Sequence, residues 1–264
     1  MHIVVCTKQI VDPEIPSGEF KVDFEARRAV QDQGEAVLNP YDENAIEVAL
    51  QLKDRNKDIK VTALTLGGES SQKVLRRALA MGCDEAIWLK DPAFETLDSA
   101  GTAAVIAKAV RQAGNADMIL CGRQAGDWDM GQVGALLAEE LQIACIPLAY
   151  HLEQKGEVLL VKRETESGMA VLEVGLPVLL SITNSSTNQP RYPSVKGVLM
   201  AGRKQIPTFS AKDLSIDAEI PKRVVVEELT IPSYDRQVMF IDGEDGPEKA
   251  AALAAHLIKM NLFK

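Results

Sequence analysis

Histidine is nearly missing from this chain of 264 residues: the three present, His2, His151 and His256, fall at a strand start, a strand edge and a terminal helix. Those positions suggest no His–carboxylate or Ser–His arrangement, so no catalytic residue is assigned. Paired cysteines are missing too. Cys6, Cys83, Cys121 and Cys145 stand singly inside apolar stretches, without the spacing of a metal site or a secreted disulfide framework. Four buried, reduced thiols and no bound metal are expected. No apolar run approaches the roughly 18 residues of a spanning helix, and Met1-His2 leads directly into Ile3-Val4-Val5-Cys6 with no signal-peptide pattern. A soluble cytoplasmic chain with no membrane insertion is the expectation. Basic charge is also in deficit: 29 Lys and Arg against 38 Asp and Glu leave a net charge of -9. That balance repels a phosphate backbone and argues against nucleic acid as a partner.

What is present is a 46% hydrophobic content, enough to bury a substantial core. Short apolar runs rich in β-branched residues alternate with segments of helical period, the pattern of parallel strands joined by crossover helices. Strands are predicted at His2–Thr7, Ile59–Leu66, Glu85–Leu89 and Met118–Cys121, with helices at about Asp42–Asn56, Ser70–Met81, Asp98–Ala113 and Met130–Leu141. Gly82 marks a helix end, and Asp98 reads as an N-cap. After about Cys145 the runs shorten, at His151–Gln154, Val158–Lys162, Met169–Val174 and Val178–Thr183. They read as antiparallel strands added to the sheet edge, a pattern a small second lobe would also give. From Pro190 the chain reads as irregular, broken at Pro207, Pro221 and Pro232, until an amphipathic helix at Pro247–Met260. Such an arm packs either on its own domain or around a partner.

An open parallel sheet binds ligands beyond the carboxyl ends of its strands, so the informative positions follow each strand. Cys6-Thr7-Lys8-Gln9 lacks the glycines and the Lys-Ser/Thr pair of a P-loop, which disfavours phosphate-bond hydrolysis. Leu66-Gly67-Gly68 is either a close-approach point for a ligand or a plain turn. The richest loop runs from Gly122 through Arg123, Gln124, Ala125, Gly126, Asp127, Trp128, Asp129, Met130 and Gly131 to Gln132, Val133 and Gly134. With a helix beginning near Met130, its free amides suit phosphate oxygens, and Gln124 and Gln132 suit a base or ribose. The alternative is a solvated turn with two capping aspartates. Asn39-Pro40-Tyr41-Asp42 reads as a helix entry on spacing alone.

Val4-Val5-Cys6-Thr7-Lys8, Asn39-Pro40-Tyr41-Asp42, Ala78–Asp84, Gly122-Arg123-Gln124-Ala125, Gln132-Val133-Gly134 and Pro190-Arg191-Tyr192, in this order and spacing, resemble the β subunit of electron-transfer flavoproteins along essentially the whole chain. The resemblance implies an α/β fold: a three-layer, doubly wound, mostly parallel sheet of the adenine-nucleotide α-hydrolase type, with added antiparallel strands and an extended C-terminal arm. It implies a nucleotide-binding domain over residues 1–190, and a docking loop with an arm packed on the partner over 191–264. A larger α subunit would carry the redox FAD, while this chain binds AMP or a second FAD. The resemblance places Cys6, Asn39, Pro40, Tyr41, Asp42, Leu66 and Gly122–Val133 around that nucleotide. Arg191, Tyr192 and Val195 would dock a flavin dehydrogenase such as an acyl-CoA dehydrogenase, with Val195 where better-known members carry leucine. Gly126 and Trp128 also depart from the family pattern.

Ser99 and Thr102, in or beside the first turn after Asp98, add hydroxyls suited to a dinucleotide and resemble members that carry FAD in this subunit and split electron pairs from NADH. FAD is therefore expected over AMP. The expected role is that of an electron carrier, not an enzyme, with a contribution to NADH-dependent bifurcation left open. An adenine-nucleotide-binding hydrolase and a regulatory nucleotide sensor of the same fold are the alternatives.

Overall fold

Strand β1 (His2–Thr7) buries Ile3, Val4, Val5 and Cys6 on both faces, as a strand must when helices cover both sides of a parallel sheet. The computed structural model describes residues 1–16, 18–30, 36–114, 116–156, 158–216, 220, 222–231 and 238–262. Pro221 and Pro232, read as chain breakers, lie outside the described residues.

The first half follows a β-α-β rhythm. Helix α1 (Pro40–Arg55) opens with proline and with Asp42 and Glu43 in its first turn, and closes with Lys53 and Arg55, each sign of charge complementing the helix dipole. Strand β2 (Lys60–Leu66) leads to α2 (Gln72–Met81), which ends at Gly82 with φ +135°, a backbone state open to glycine. Strand β3 (Glu85–Leu89), α3 (Ser99–Gln112), β4 (Met118–Gly122) and α4 (Val133–Leu141) follow. Alternate strand residues divide the core. Ile3, Val5 and Val61 meet Ile46 and Leu50 of α1 and Leu75 of α2, whereas Val4, Leu64 and Ile119 meet Ala103 and Ile106 of α3 and Leu137 of α4.

The second half begins with β5 (Ala144–Lys155), β6 (Val158–Thr165) and β7 (Gly168–Val174), antiparallel at the sheet edge as expected. Strand β8 (Val178–Ile182) departs from the expectation: it lies inside the sheet, parallel to both β4 and β5. All its residues are buried, Ser181 included, and burial at every position marks a strand covered on both faces, not an edge. The segment after Pro190 also differs, since it contains helix α5 (Val195–Arg203) and strand β9 (Thr208–Phe209), parallel to β3. Their brevity hid them: nine and two residues carry too little periodicity to read. The sheet order is β7-β6-β5-β8-β4-β1-β2-β3-β9. Among the thiols Cys6, Cys83 and Cys121 are buried, but Cys145 is exposed, because burial along β5 begins only at Ile146.

The chain divides into a compact unit of Met1–Leu229 and a second of Thr230–Lys264. The second contains α6 (Gly246–Lys259), capped by Asp245, whose side chain accepts from the Glu248 amide at 2.8 Å. Among the described residues no helix is long and apolar enough to cross a membrane.

The interior place of β8 has a measurable consequence. Leu179→Ala removes a fully buried side chain and is expected to cost about 3 kcal/mol, a fall of about 6–12 °C in Tm for a chain of this size. Val171→Ala, on the exposed face of β7, should shift Tm by no more than about 2 °C. Comparable shifts in thermal unfolding would contradict the strand order.

Candidate functional site

From β1 the chain builds β2 and β3 to one side and then returns to lay β4 on the other. The loops after β1 and β4 therefore diverge to opposite faces and leave a crevice between the carboxyl ends of these two strands. Its width is set by Asp42. One carboxylate oxygen accepts the Lys8 amide at 2.7 Å, just past β1, and the other accepts the Gly122 amide at 2.9 Å, at the end of β4. A Cβ at position 122 would overlap Asp42 Oδ1 and lie 2.7 Å from Tyr41 Cβ, so only glycine lets α1 come this close.

Asn39 makes the second tie. Its backbone N–H donates to Lys8 O at 2.9 Å, its Nδ2 donates to Gln124 O at 2.9 Å, and its Oδ1 accepts the Gly126 amide at 3.2 Å. Lys8 Nζ pairs with Asp127 at 2.7 Å. The Arg123 guanidinium stacks 4.7 Å from the Tyr41 ring centre, and its Nη1 reaches Thr183 Oγ1 at 3.4 Å. Arg123 Nε and Gln9 Nε2 are buried atoms with no hydrogen-bond partner among the described residues, an arrangement that costs free energy unless an acceptor is supplied.

The rest of the loop folds back on itself. Gln124 Nε2 donates to Asp129 Oδ1 at 2.7 Å, and Asp129 and Gly131 take φ values of 52° and 60°. Left-handed residues on either side of Met130 stop a helix from starting there, where the sequence suggested one. Helix α4 starts instead at Val133, with Gln132 as N-cap. Its first amides, those of Val133 and Gly134 included, have no helical carbonyl to bond. A Cβ on Gly134 would sit 2.8 Å from Cys121 Sγ, so glycine also draws this helix end onto β4.

Hydrogen bonds and close contacts thus join Asn39, Tyr41, Asp42, Gly122, Arg123, Gln124, Gly126, Asp127 and Asp129 at the ends of β1 and β4, with Cys6 at the end of β1 and Pro40 between Asn39 and Tyr41, while Gln132 and Val133 open α4 where the same loop ends. Leu66 ends β2 one strand away. The Gly67-Gly68 turn beyond it is closed by a bond from the Ser71 amide to Gly68 O at 3.0 Å and by Trp88 Nε1 to Gly67 O at 3.0 Å. Among the described residues no hydrogen bond joins Ser99 or Thr102, in the first turn of α3, to the Gly122 loop. Asp98 caps their helix, accepting the Gly101 amide at 2.8 Å, while its second oxygen accepts the Arg223 and Val224 amides at 2.6 and 3.0 Å. Lys8, Gln9 and Thr183 had no assigned role from the sequence. The position of Lys8 and Gln9 directly after β1 was the available signal; Thr183 had none, because its neighbour β8 was misplaced.

Burial raises the Asp42 carboxyl to about 7, against the opposing pull of its hydrogen bonds from Lys8, Asn39 and Gly122 and of the Lys8 charge. Burial likewise pushes the Cys6 thiol to about 12, with Asp42 adding to it. A carboxyl whose folded pKa lies above its unfolded value binds more protons when folded, so its contribution to stability is full below about pH 4 and is lost as pH rises through 7. The stability of the native protein relative to Asp42→Asn should therefore fall between pH 5 and 7, by at most about 1.4 kcal/mol per pH unit, and level off above pH 8. Thermal unfolding of both proteins across that range measures this; a difference independent of pH would overturn it.

Residues 28–214 match the family model of the electron transfer flavoprotein domain. The chain is 36% identical over 223 residues to an electron transfer flavoprotein subunit beta of Megasphaera elsdenii, covering 82% of this chain and 81% of the relative. It is 34% identical over 238 residues to the subunit beta of Bacillus subtilis, covering 89% and 90%. It is also 35% identical over 219 residues to the caffeyl-CoA reductase-Etf complex subunit CarD of Acetobacterium woodii, covering 83% and 82%. With a family match over more than half its length and relatives of this similarity over more than four fifths of both chains, the chain belongs to the electron transfer flavoprotein family, among its β subunits, and its role is electron transfer.

Proposed function

We propose that this chain pairs with an electron transfer flavoprotein α subunit that carries the redox FAD, holds a second FAD in the crevice between β1 and β4, and docks a flavin dehydrogenase through Tyr192 and Val195. The observation that carries the nucleotide assignment is Arg123, stacked on Tyr41 with its buried Nε given no partner among the described residues, beside a crevice pinned by Asp42 and Asn39. A guanidinium so placed is suited to a phosphate, and the free first amides of α4 are suited to the same charge. Gln124 and Gln132 would face base or ribose, while Ser99 and Thr102 offer hydroxyls to the dinucleotide. FAD when bound supplies a flavin that accepts and donates electrons; the residues named here bind and orient its adenosine end.

A second reading, AMP in the same crevice, is favoured by Asp98. The Gly101 amide foremost, then those of Arg223 and Val224, hold this carboxylate below its ordinary range, and a negative charge already seated at the start of α3 opposes a further phosphate there. AMP needs only the Arg123 side of the site.

Docking is supported by the shape of α5. Ser194 caps it, accepting the Gly197 amide at 3.0 Å, and Gly197 lies against Ala80, where a Cβ would be 2.5 Å from the carbonyl oxygen. With that face turned to α2, Val195, Val198 and Leu199 point to solvent beside Tyr192, Val195 being 81% and Tyr192 92% exposed. Apolar side chains this exposed on a held helix are suited to a pocket on another protein. Electron tunnelling is short-ranged, so a carrier needs such a fixed contact near the donor. Leu253 and Ile258 of α6 are also exposed and support an α-subunit contact by the second unit.

Co-expression with the α subunit, followed by acid extraction and chromatography, tests the cofactor: about two FAD per heterodimer is expected, one FAD with one AMP supports the second reading, and no nucleotide beyond one FAD overturns both. Arg123→Ala should lower occupancy of the β-subunit site at least tenfold after dilution. Val195→Ala should raise the KM for an acyl-CoA dehydrogenase about tenfold, in line with about 1.4 kcal/mol for the apolar surface removed, with cofactor content unchanged. An unchanged KM would remove the docking assignment.

A further inference from the structure

Arg191, expected from the sequence to meet the partner directly, faces inward. Its Nε donates to Glu47 Oε2 at 2.7 Å and its Nη2 to Glu47 Oε1 at 3.0 Å, a two-pronged pair, and its backbone N–H donates to the same Oε2 at 3.2 Å. Nη2 also reaches Asp54 at 2.9 Å. Glu47 is a buried carboxylate in the middle of α1. Buried charge on the core face of a helix is costly unless fully paired, and here three of the four hydrogen bonds that Glu47 accepts come from the residue just before Tyr192, the fourth coming from Gln51 Nε2 at 3.2 Å. The preceding turn is fixed in the same way. Asn188, fully buried, donates to Thr183 O at 2.9 Å and Tyr150 O at 3.2 Å, and its backbone carbonyl accepts Asn44 Nδ2 at 3.0 Å. Beyond the docking residues, Arg76 of α2 donates to Ala201 O and Lys204 O at 2.5 and 2.6 Å, holding the far end of α5.

We propose that Glu47 is a positioning residue for dehydrogenase docking: by clamping Arg191 it fixes where Tyr192 and Val195 leave the surface, so that the anchor is presented already ordered. The inference rests on the docking assignment of Tyr192 and Val195 made above. A preordered anchor avoids the entropy of organising the segment on contact, and a two-pronged guanidinium–carboxylate pair sets direction as well as distance. The bond network holds the chain immediately before Tyr192 and again at the far end of α5, and among the described residues no side-chain hydrogen bond holds Tyr192 itself.

The test uses the heterodimer carrying Glu47→Gln, a variant of equal size that cannot accept on both prongs. Amide hydrogen exchange over residues 192–198, read by mass spectrometry, should accelerate about tenfold, and the KM for the acyl-CoA dehydrogenase should rise about tenfold, with kcat and nucleotide content within twofold. Arg191→Ala should match these effects, and the double variant should add nothing further, as expected for residues acting as one unit. Exchange unchanged in Glu47→Gln overturns the positioning role whatever the dehydrogenase does. Faster exchange with KM unchanged, while Val195→Ala raises KM, shows that order in the segment does not matter and overturns it too. Faster exchange with KM unmoved by either variant removes the docking assignment and this inference with it. Should Glu47→Gln fail to assemble, Arg191→Lys, which keeps the charge but loses the fork, carries the same readouts.

Discussion

The carboxylate of Asp42 is the interaction on which the rest of the site depends. At the switch point of a doubly wound sheet two strands end side by side and their chains part to opposite faces. That leaves the Lys8 and Gly122 amides with no ladder to join, and each would cost free energy if buried unpaired. One side chain from the first turn of α1 accepts both. The crevice is open because the chains diverge there, and it is ordered because this carboxylate spans it.

From that constraint the neighbouring choices follow. Position 122 must be glycine, since Asp42 and Tyr41 occupy the space of any side chain there. Asn39 has to precede the helix, where its amide group faces the Gln124 carbonyl and the Gly126 amide at once. Tyr41 is then left beneath Arg123. The burial that makes these bonds strong also raises the Asp42 carboxyl toward neutrality, so the site is held by a group near the limit of the charge it can keep.

The same helix serves a second purpose further along. Asn44 and Glu47 hold the 188–191 segment, and that segment carries the exposed Tyr192. One rigid helix thus supports the edge of the crevice and the root of the docking surface, which places both relative to the sheet. The interior place of β8 matters here as well, because Thr183, which follows it, both meets Arg123 and accepts from Asn188.

Much of this was legible in the sequence. The strands and helices of the first half were readable because each buried run is long and its period unambiguous, and Asn39–Asp42 and Gly122–Val133 were legible as family segments lying where a parallel sheet places ligand loops. Composition alone argued against nucleic acid and a membrane span. What tertiary structure decided is where separate segments meet. The parallel pairing of Val178–Ile182 depends on which strands flank it, and no local pattern encodes that. The start of α4 depends on left-handed Asp129 and Gly131, held by loop contacts. The inward turn of Arg191 depends on a carboxylate 144 residues earlier. Local periodicity is a property of neighbours in the chain, and so the sequence determined it; pairing across the sheet, the width of the crevice and the partner of a buried charge are properties of neighbours in space, and only the folded packing decided them.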